Sequence, residues 1–171
     1  MKRIVPVVFA LFVFFYVISK GIGSSGLTNS VIIHKLVVIK SERQLLAYSG
    51  GKLVKTYRIS LGKKPVGDKQ FEGDNKTPEG LYTINDKNPH SGYHRNLGVS
   101  YPNASDRRKA AQLGKPVGGS IKIHGLPNKV PFLGRLHLLY DWTAGCMAVT
   151  NEEIEELYNA VAIGTPIEIK P

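Results

Sequence analysis

A single cysteine and a separate histidine are the residues of this chain best suited to chemistry. Cys146 is the only cysteine among 171 residues, and it follows Gly145 in a segment that reads Asp-Trp-Thr-Ala-Gly-Cys-Met-Ala-Val-Thr. His124 lies upstream, in Ile-His-Gly. A histidine can take the proton of a thiol, and the resulting thiolate can attack a carbonyl carbon. A glycine before the cysteine lets main-chain N–H groups approach a substrate oxygen. This pattern predicts a thiol nucleophile and its base, although a lone cysteine without such context is usually a small buried side chain.

The first 25 residues have the organisation of a secretory signal. A basic start, Met1-Lys2-Arg3, precedes an apolar and aromatic stretch over residues 4–18, which is followed by Gly and Ser. This stretch is shorter than the roughly 20 residues that span a bilayer, which favours a cleaved signal over the alternative, a retained signal anchor. We therefore expect export to the periplasm or cell envelope. An uncleaved segment would anchor the chain to the inner membrane and make the only membrane contact.

Residues 26–171 have the length of one domain with one core. Its single cysteine cannot form an intramolecular disulfide, so the thiol is free in a monomer, which is the state we expect. The formal net charge of the chain is +10. An exported basic domain is suited to anionic envelope polymers, and no nucleic-acid partner is predicted.

The apolar pattern predicts mainly strands. Residues 31–40 are β-branched, and residues 44–48 and 53–60 flank a Gly-Gly turn that is typical of a hairpin. Further strands are predicted over residues 80–85, 120–124, 146–150 and 166–170. Cys146 and His124 would thus lie at strand ends, where a sheet can hold side chains in register.

Two segments have helical patterns. Over residues 151–163 apolar side chains recur at helical spacing, Thr150 and Glu153 are spaced as a capping box, and Gly164 follows as a stop. A shorter helix is predicted over residues 105–113. Many short strands with few helices predict a mostly β domain in which sheet packs on sheet.

Taken together, these residues resemble the YkuD-type L,D-transpeptidase family, in a small YafK-like branch found in Gram-negative bacteria. The matching parts are Ile-His-Gly at 123–125, Thr-Ala-Gly-Cys at 143–146 and Thr-Pro-Glu-Gly-Leu-Tyr at 77–82. The resemblance implies a β-sandwich with one C-terminal helix and one short helix, and no metal or organic cofactor. It implies Cys146 as nucleophile, His124 as base, the Gly125 carbonyl as the group that orients the imidazole, and the Gly145 N–H as an oxyanion donor.

The implied substrate is the stem peptide of peptidoglycan. Cys146 would attack the carbonyl of meso-diaminopimelate in a tetrapeptide stem, and the thioester would pass to an amine or to water. The alternatives are an amidase that detaches murein-bound lipoprotein, a different thiol hydrolase of the envelope, and a peptidoglycan-binding module without activity. The last is suggested by Ala144 and Ala148, which stand where many members have histidine, and arginine or asparagine.

Seven residues are predicted to contact substrate. The resemblance places a cleft rim at the Thr-Pro-Glu turn and contacts beside the nucleophile, and a loop over residues 88–95 would add a wall; the residues are Thr77, Pro78, Glu79, Tyr93, Arg95, Asp141 and Thr143. His90 and His94 are four apart, but Pro89 and Gly92 disfavour a helix, so no metal site is predicted. His137, between leucines, is a second candidate for the base.

Overall fold

The β-branched and alternating segments form eight strands of a single curled sheet. The computed structural model describes residues 31–171, so the predicted signal at 1–25 lies outside the described residues. The strands are β1 Lys35–Ile39, β2 Gln44–Ser49, β3 Lys52–Arg58, β4 Gly80–Ser91, β5 His94–Val99, β6 Lys122–His124, β7 Met147–Ala148 and β8 Pro166–Lys170.

The sheet curls into two layers, and β4 is the strand that connects them. The order of the strands is β3-β2-β1-β8-β4-β5-β6-β7. The beginning of β4 pairs with β8 and its remainder pairs with β5, so this twelve-residue strand belongs to both layers. Beyond β3, Ser60 and Ala148 exchange two main-chain hydrogen bonds of 2.9 Å, which joins the two ends of the sheet.

Apolar side chains from both layers meet between them and form the core. The segments predicted as strands supply most of these side chains. The largest contributors include Leu36, Val38, Leu45, Tyr57, Ile84, Leu97, Ile123, Met147, Ile154, Leu157 and Ile167. The β-sandwich class predicted from the sequence is confirmed.

Two α-helices and a 3-10 segment cover this sheet. They are α1 Ala104–Gln112, α2 Asn151–Ala160 and two 3-10 turns within Pro131–Leu139 that join at Gly134. Helix α2 contacts β5 and β6, and its Ile154 and Leu157 are fully buried. No helix within residues 31–171 is long and apolar enough to cross a membrane.

Several boundaries differ from the sequence-based expectation, notably at residues 88–95, at the end of helix α2 and at residues 146–150. The predicted loop at 88–95 is a hairpin, because β4 continues to Ser91 and pairs with β5. Helix α2 ends at Ala160, since Val161 has an extended backbone and forms a bridge with Ile33. The strand expected over 146–150 is limited to Met147–Ala148, which leaves Cys146 in the preceding turn.

The capping box of α2 gives a prediction about stability. The Thr150 hydroxyl accepts a hydrogen bond from the Glu153 N–H at 3.2 Å, and the Glu153 carboxylate accepts one from the Thr150 N–H at 3.0 Å. Thr150→Val keeps the shape but removes the acceptor, and we expect a loss of about 1–2 kcal/mol in the free energy of unfolding. Thr150→Ser keeps the acceptor and should lose less than half as much. Urea denaturation measures both, and equal losses would contradict the capping role.

Candidate active site

Cys146 and His124 line the same cavity, which has a volume of about 570 Å³. β6 carries His124 and runs parallel to β7, with Ile123 opposite Met147. Cys146 immediately precedes Met147, so the turn before β7 brings the thiol to the strand that carries the histidine. The cavity walls come from four separate parts of the chain, and they include Lys63, Asn96, Ser120, Lys122, Trp142 and Ala144.

The imidazole of His124 is fixed by a main-chain bond and by two aromatic rings. Its Nδ1 lies 2.7 Å from the carbonyl oxygen of Gly125. A carbonyl can only accept, so Nδ1 carries the proton and Nε2 keeps a lone pair. The ring centroid lies 4.6 Å from that of Tyr93 and 5.7 Å from that of Trp142. This tautomer leaves Nε2 able to accept a proton.

Burial keeps both reactive groups neutral at pH 7. Loss of hydration lowers the pKa of His124 to about 4, against the opposing effect of the Gly125 hydrogen bond. Burial also raises the pKa of the Cys146 thiol, against hydrogen bonding and positive charge from Lys122. The thiol donates to the Ser120 carbonyl at 3.5 Å. The resting site thus holds a thiol and a neutral imidazole, and a neutral imidazole is the form that acts as a general base.

The turn that carries Cys146 is organised by Thr143. Its hydroxyl donates to the Cys146 carbonyl at 2.7 Å and accepts from the Gly145 N–H at 3.0 Å. Gly145 has φ +136°, and a Cβ there would lie 2.6 Å from the carbonyl oxygen of Lys76. The turn therefore requires glycine at 145, both for its backbone conformation and for its close contact with the segment behind it.

This geometry corrects the expected oxyanion donor. The Gly145 N–H is already bonded to the Thr143 hydroxyl, so it is not open to a substrate oxygen. The Cys146 N–H, by contrast, has no hydrogen-bond partner among residues 31–171. Of these two N–H groups, that of Cys146 is therefore the one available to donate to a bound oxygen.

The arrangement agrees with the comparison of the chain with known families. Residues 33–169 match the YkuD family, the L,D-transpeptidase catalytic domain. This chain belongs to the YkuD family. The predicted family is thus confirmed over almost all of the residues that the structure describes.

Similar proteins and solved structures agree with this membership. YafK of Escherichia coli K12, provisionally assigned as an L,D-transpeptidase, is 30% identical over 130 residues, which are 72% of this chain and 45% of YafK. The helical cell shape determining protein Pgp2 from Campylobacter jejuni superposes with a TM-score of 0.61 at 28% identity, covering 83% of this chain and 49% of Pgp2. Bd1075 from Bdellovibrio bacteriovorus superposes with a TM-score of 0.57 at 26% identity, covering 84% of this chain and 50% of Bd1075. This chain therefore spans about half the length of these relatives.

The Thr-Pro-Glu turn of this YkuD domain lies outside the cavity wall. The Thr77 side chain is 0% exposed and accepts from the Gly62 N–H at 3.1 Å. Pro78 is buried, and Glu79 forms a 2.7 Å ion pair with the buried Lys40. The expectation that this turn is a substrate-contacting rim is corrected, because its side chains serve as scaffold beside the nucleophile turn.

The other predicted substrate contacts divide into two groups. Tyr93 and Thr143 line the cavity. Arg95 does not, since its guanidinium pairs with Glu155 at 3.0 Å and lies over the Tyr158 ring on α2. These two partners hold it against the helix, which corrects the expectation that it contacts substrate.

Asp141 is the remaining predicted contact, and it is also absent from the cavity wall. One carboxylate oxygen accepts from the Leu61 N–H at 2.9 Å and the other pairs with Arg43 at 2.9 Å. Asp141 therefore fixes the start of the nucleophile turn against the chain that follows β3.

The remaining histidines do not replace His124. His137 is buried outside the cavity wall, and its Nδ1 accepts from the Trp142 Nε1–H at 3.3 Å. His94 pairs with Glu155 at 2.7 Å. His90 also lines the cavity, but it lies on β4, which β5 separates from the strand that carries His124. Among these, His124 alone combines a fixed tautomer with a place beside the thiol.

The cavity wall includes residues that were not predicted from the sequence, among them Lys63, Asn96, Ser120 and Lys122. Alternation along the predicted strand 120–124 could have identified two of them, because residues two apart in a strand share a face. Asn96 lies on β5, which was not predicted as a strand. Lys63 reaches the cavity through a tertiary contact, in which its N–H donates to the Thr143 carbonyl at 3.0 Å.

The tight contact at Gly145 gives a prediction with an internal control. Gly145→Ala adds a Cβ against a main-chain oxygen, whereas Gly73→Ala adds one at φ +84° with no atom within 4 Å. Both substitutions incur the conformational cost of positive φ, about 1–2 kcal/mol. We expect Gly145→Ala to reduce the free energy of unfolding by at least about 2 kcal/mol more than Gly73→Ala and to slow alkylation of Cys146. Equal losses in urea denaturation would contradict the close packing.

Burial of a neutral His124 predicts a pH-dependent stability. Between pH 6.5 and about 4 the unfolded chain binds a proton at His124 that the folded chain does not bind. The free energy of unfolding should therefore decrease as the pH falls through this window, by about 2–3 kcal/mol between pH 7 and pH 4.5. The reference is His124→Asn, which keeps a donor for the Gly125 carbonyl but does not titrate.

The measurement is the difference between wild type and His124→Asn in urea denaturation at the two pH values. Carboxylates that titrate in the same range contribute equally to both proteins. A difference that does not change with pH would show that folding leaves the pKa of His124 at its value in the unfolded chain and would contradict the buried, neutral imidazole.

Proposed function

We propose that this protein is a peptidoglycan-modifying cysteine acyltransferase that acts on tetrapeptide stems. The observation that carries the proposal is the pair of Cys146 and a buried, neutral His124 on one cavity of a YkuD domain. A neutral pair suits general-base catalysis, because the proton leaves the thiol only when a carbonyl is in place for attack.

In the first half-reaction the Cys146 thiol becomes acylated. His124 Nε2 accepts the Cys146 proton while the sulfur attacks the carbonyl of the diaminopimelate residue. The Cys146 N–H donates to the oxygen of the tetrahedral intermediate. The C–N bond then breaks, and the imidazolium gives its proton to the leaving amine of the terminal D-alanine. A thioester and free D-alanine are the products.

In the second half-reaction an amine or water attacks the thioester. His124 removes a proton from the attacking group, the C–S bond breaks, and the thiolate recovers its proton. An amine of a second stem peptide gives a crosslink, and water gives a trimmed stem. Cleavage of an amide bond between the stem and a lipoprotein would form the same thioester. The amidase alternative therefore differs from the proposed reaction only in its leaving group, which is the lipoprotein in place of D-alanine.

The location that fits this substrate is the cell envelope. We infer that residues 1–25 direct export as a signal or an anchor, because their basic start and short apolar stretch have that organisation. The formal charge of +10 is suited to an anionic polymer such as the cell wall. Murein lipoprotein is a partner only under the amidase alternative.

The proposal predicts a covalent intermediate on Cys146. The full chain, incubated with diaminopimelate-type tetrapeptide muropeptides, should gain the mass of an acyl group and release D-alanine. Lipoprotein-bearing sacculi, tested in parallel, should release no lipoprotein. Intact-protein mass spectrometry and chromatography of the products follow both events. His124→Asn should slow acylation by about 10² to 10⁴-fold, the usual contribution of a general base.

Cys146→Ala is the control, since it removes the nucleophile and keeps the fold. Lipoprotein release that depends on Cys146 would select the amidase alternative. Binding of muropeptides without adduct or product would reject the enzyme and favour a peptidoglycan-binding module.

A further inference from the structure

The positive charge of the active-site cavity has no compensating acid. Lys63 and Lys122 line the cavity, and none of the lining residues is Asp or Glu. Lys122 is half-buried and Lys63 is exposed, and neither forms an ion pair within residues 31–171, whereas the buried or half-buried Lys40, Lys55 and Lys69 do. A concave site with unpaired cations attracts an anionic ligand.

Lys122 is the cation beside the nucleophile. Ile123 lies opposite Met147 in the parallel pair of β6 and β7, so one residue earlier on each strand Lys122 lies next to Cys146. Lys122 and His124 are two apart in β6, and their side chains share the face of the sheet that borders the cavity. The charge of Lys122 influences both reactive groups, favouring the thiolate of Cys146 and disfavouring the imidazolium of His124.

A second unpaired polar group lies on the same face. Asn96 is directly opposite His124 in the pairing of β5 with β6. Its side chain is 3% exposed, lines the cavity, and its Oδ1 has no hydrogen-bond partner in the described part of the chain. Buried polar atoms are usually paired, so this unpaired oxygen beside His124 is unusual. The half-buried charge of Lys122 and the buried amide of Asn96 thus both lie next to His124, the first on the same strand and the second on the neighbouring strand.

We propose that Lys122 is a specificity-determining residue that binds the carboxylate of the leaving amino acid, one residue beyond the attacked carbonyl. The inference deepens the proposed function and depends on it. Consecutive Cα atoms are about 3.8 Å apart, so a terminal carboxylate lies only about one residue length from the carbonyl that Cys146 attacks. That is the neighbourhood of Lys122. A longer peptide has no charge at this position, so Lys122 selects substrates in which the leaving residue is terminal.

The first test uses two alkylating reagents and needs no substrate. Iodoacetate has a carboxylate beside its reactive carbon, and iodoacetamide is its neutral analogue. The ratio of their rates at Cys146 reports the local positive charge, while changes in thiol reactivity cancel. We expect Lys122→Gln to lower the iodoacetate-to-iodoacetamide ratio about tenfold, as loss of one nearby charge predicts. Lys122→Arg should keep the ratio.

The matched controls are two neighbouring lysines. Lys64 is exposed and outside the cavity wall, and Lys64→Gln should leave the ratio within about twofold of wild type. Lys63→Gln should change it less than Lys122→Gln does. An unchanged ratio in Lys122→Gln, or a larger effect of Lys63→Gln, would overturn the assignment, whatever the protein does to peptidoglycan.

The second test separates the two carboxylates of the stem. Three tetrapeptide muropeptides are compared: one with both carboxylates free, one amidated at the terminal D-alanine, and one amidated at the side-chain carboxylate of diaminopimelate. We expect amidation of the terminus to lower kcat/KM at least about tenfold in wild type and to have little effect in Lys122→Gln. Discrimination that follows the side-chain carboxylate, or that persists in Lys122→Gln, would overturn the inference. Absence of any thioester in wild type would instead reject the proposed function.

Discussion

The closure of the sheet through Ser60 and Ala148 is the interaction on which the site depends. It joins the chain beyond β3 to β7, which would otherwise be a two-residue strand at an edge. Because β7 also pairs with β6, this closure fixes the turn that carries Cys146 beside the strand that carries His124. Hydrogen bonds on both sides of so short a strand hold the nucleophile in register, which neither pairing could do alone.

The same closure allows the nucleophile turn to be packed from behind. Gly62 and Gly145 approach the 75–77 segment so closely that a Cβ on either would meet a main-chain oxygen, at 2.3 Å and 2.6 Å. The Thr77 and Thr143 hydroxyls and the Asp141 carboxylate then take up main-chain N–H groups at this junction. The polar groups of these residues, which were predicted to contact substrate, thus form hydrogen bonds with the main chain.

Burial of the base is the second consequence of this packing. Tyr93 and Trp142 exclude water from His124, and loss of hydration is the main reason that its pKa falls. The Cys146 thiol and the His124 imidazole are therefore both uncharged in the resting state. Nε2 therefore keeps a lone pair beside the thiol, and Lys122, which has no ion-pair partner within residues 31–171, lines the same cavity.

The sequence by itself determined the fold class, the hairpin at Gly50-Gly51, both helices to within a few residues, and the candidate pair Cys146 and His124. These features depend on local patterns of apolar residues, helix caps and glycines, and such patterns involve residues that are close together in the sequence. Tertiary structure alone decided that Arg95 pairs with α2, that the Gly145 N–H is taken by Thr143, and that Lys63 and Asn96 reach the cavity. Such placements depend on which strands pair and in which register, and those contacts join residues far apart in the chain.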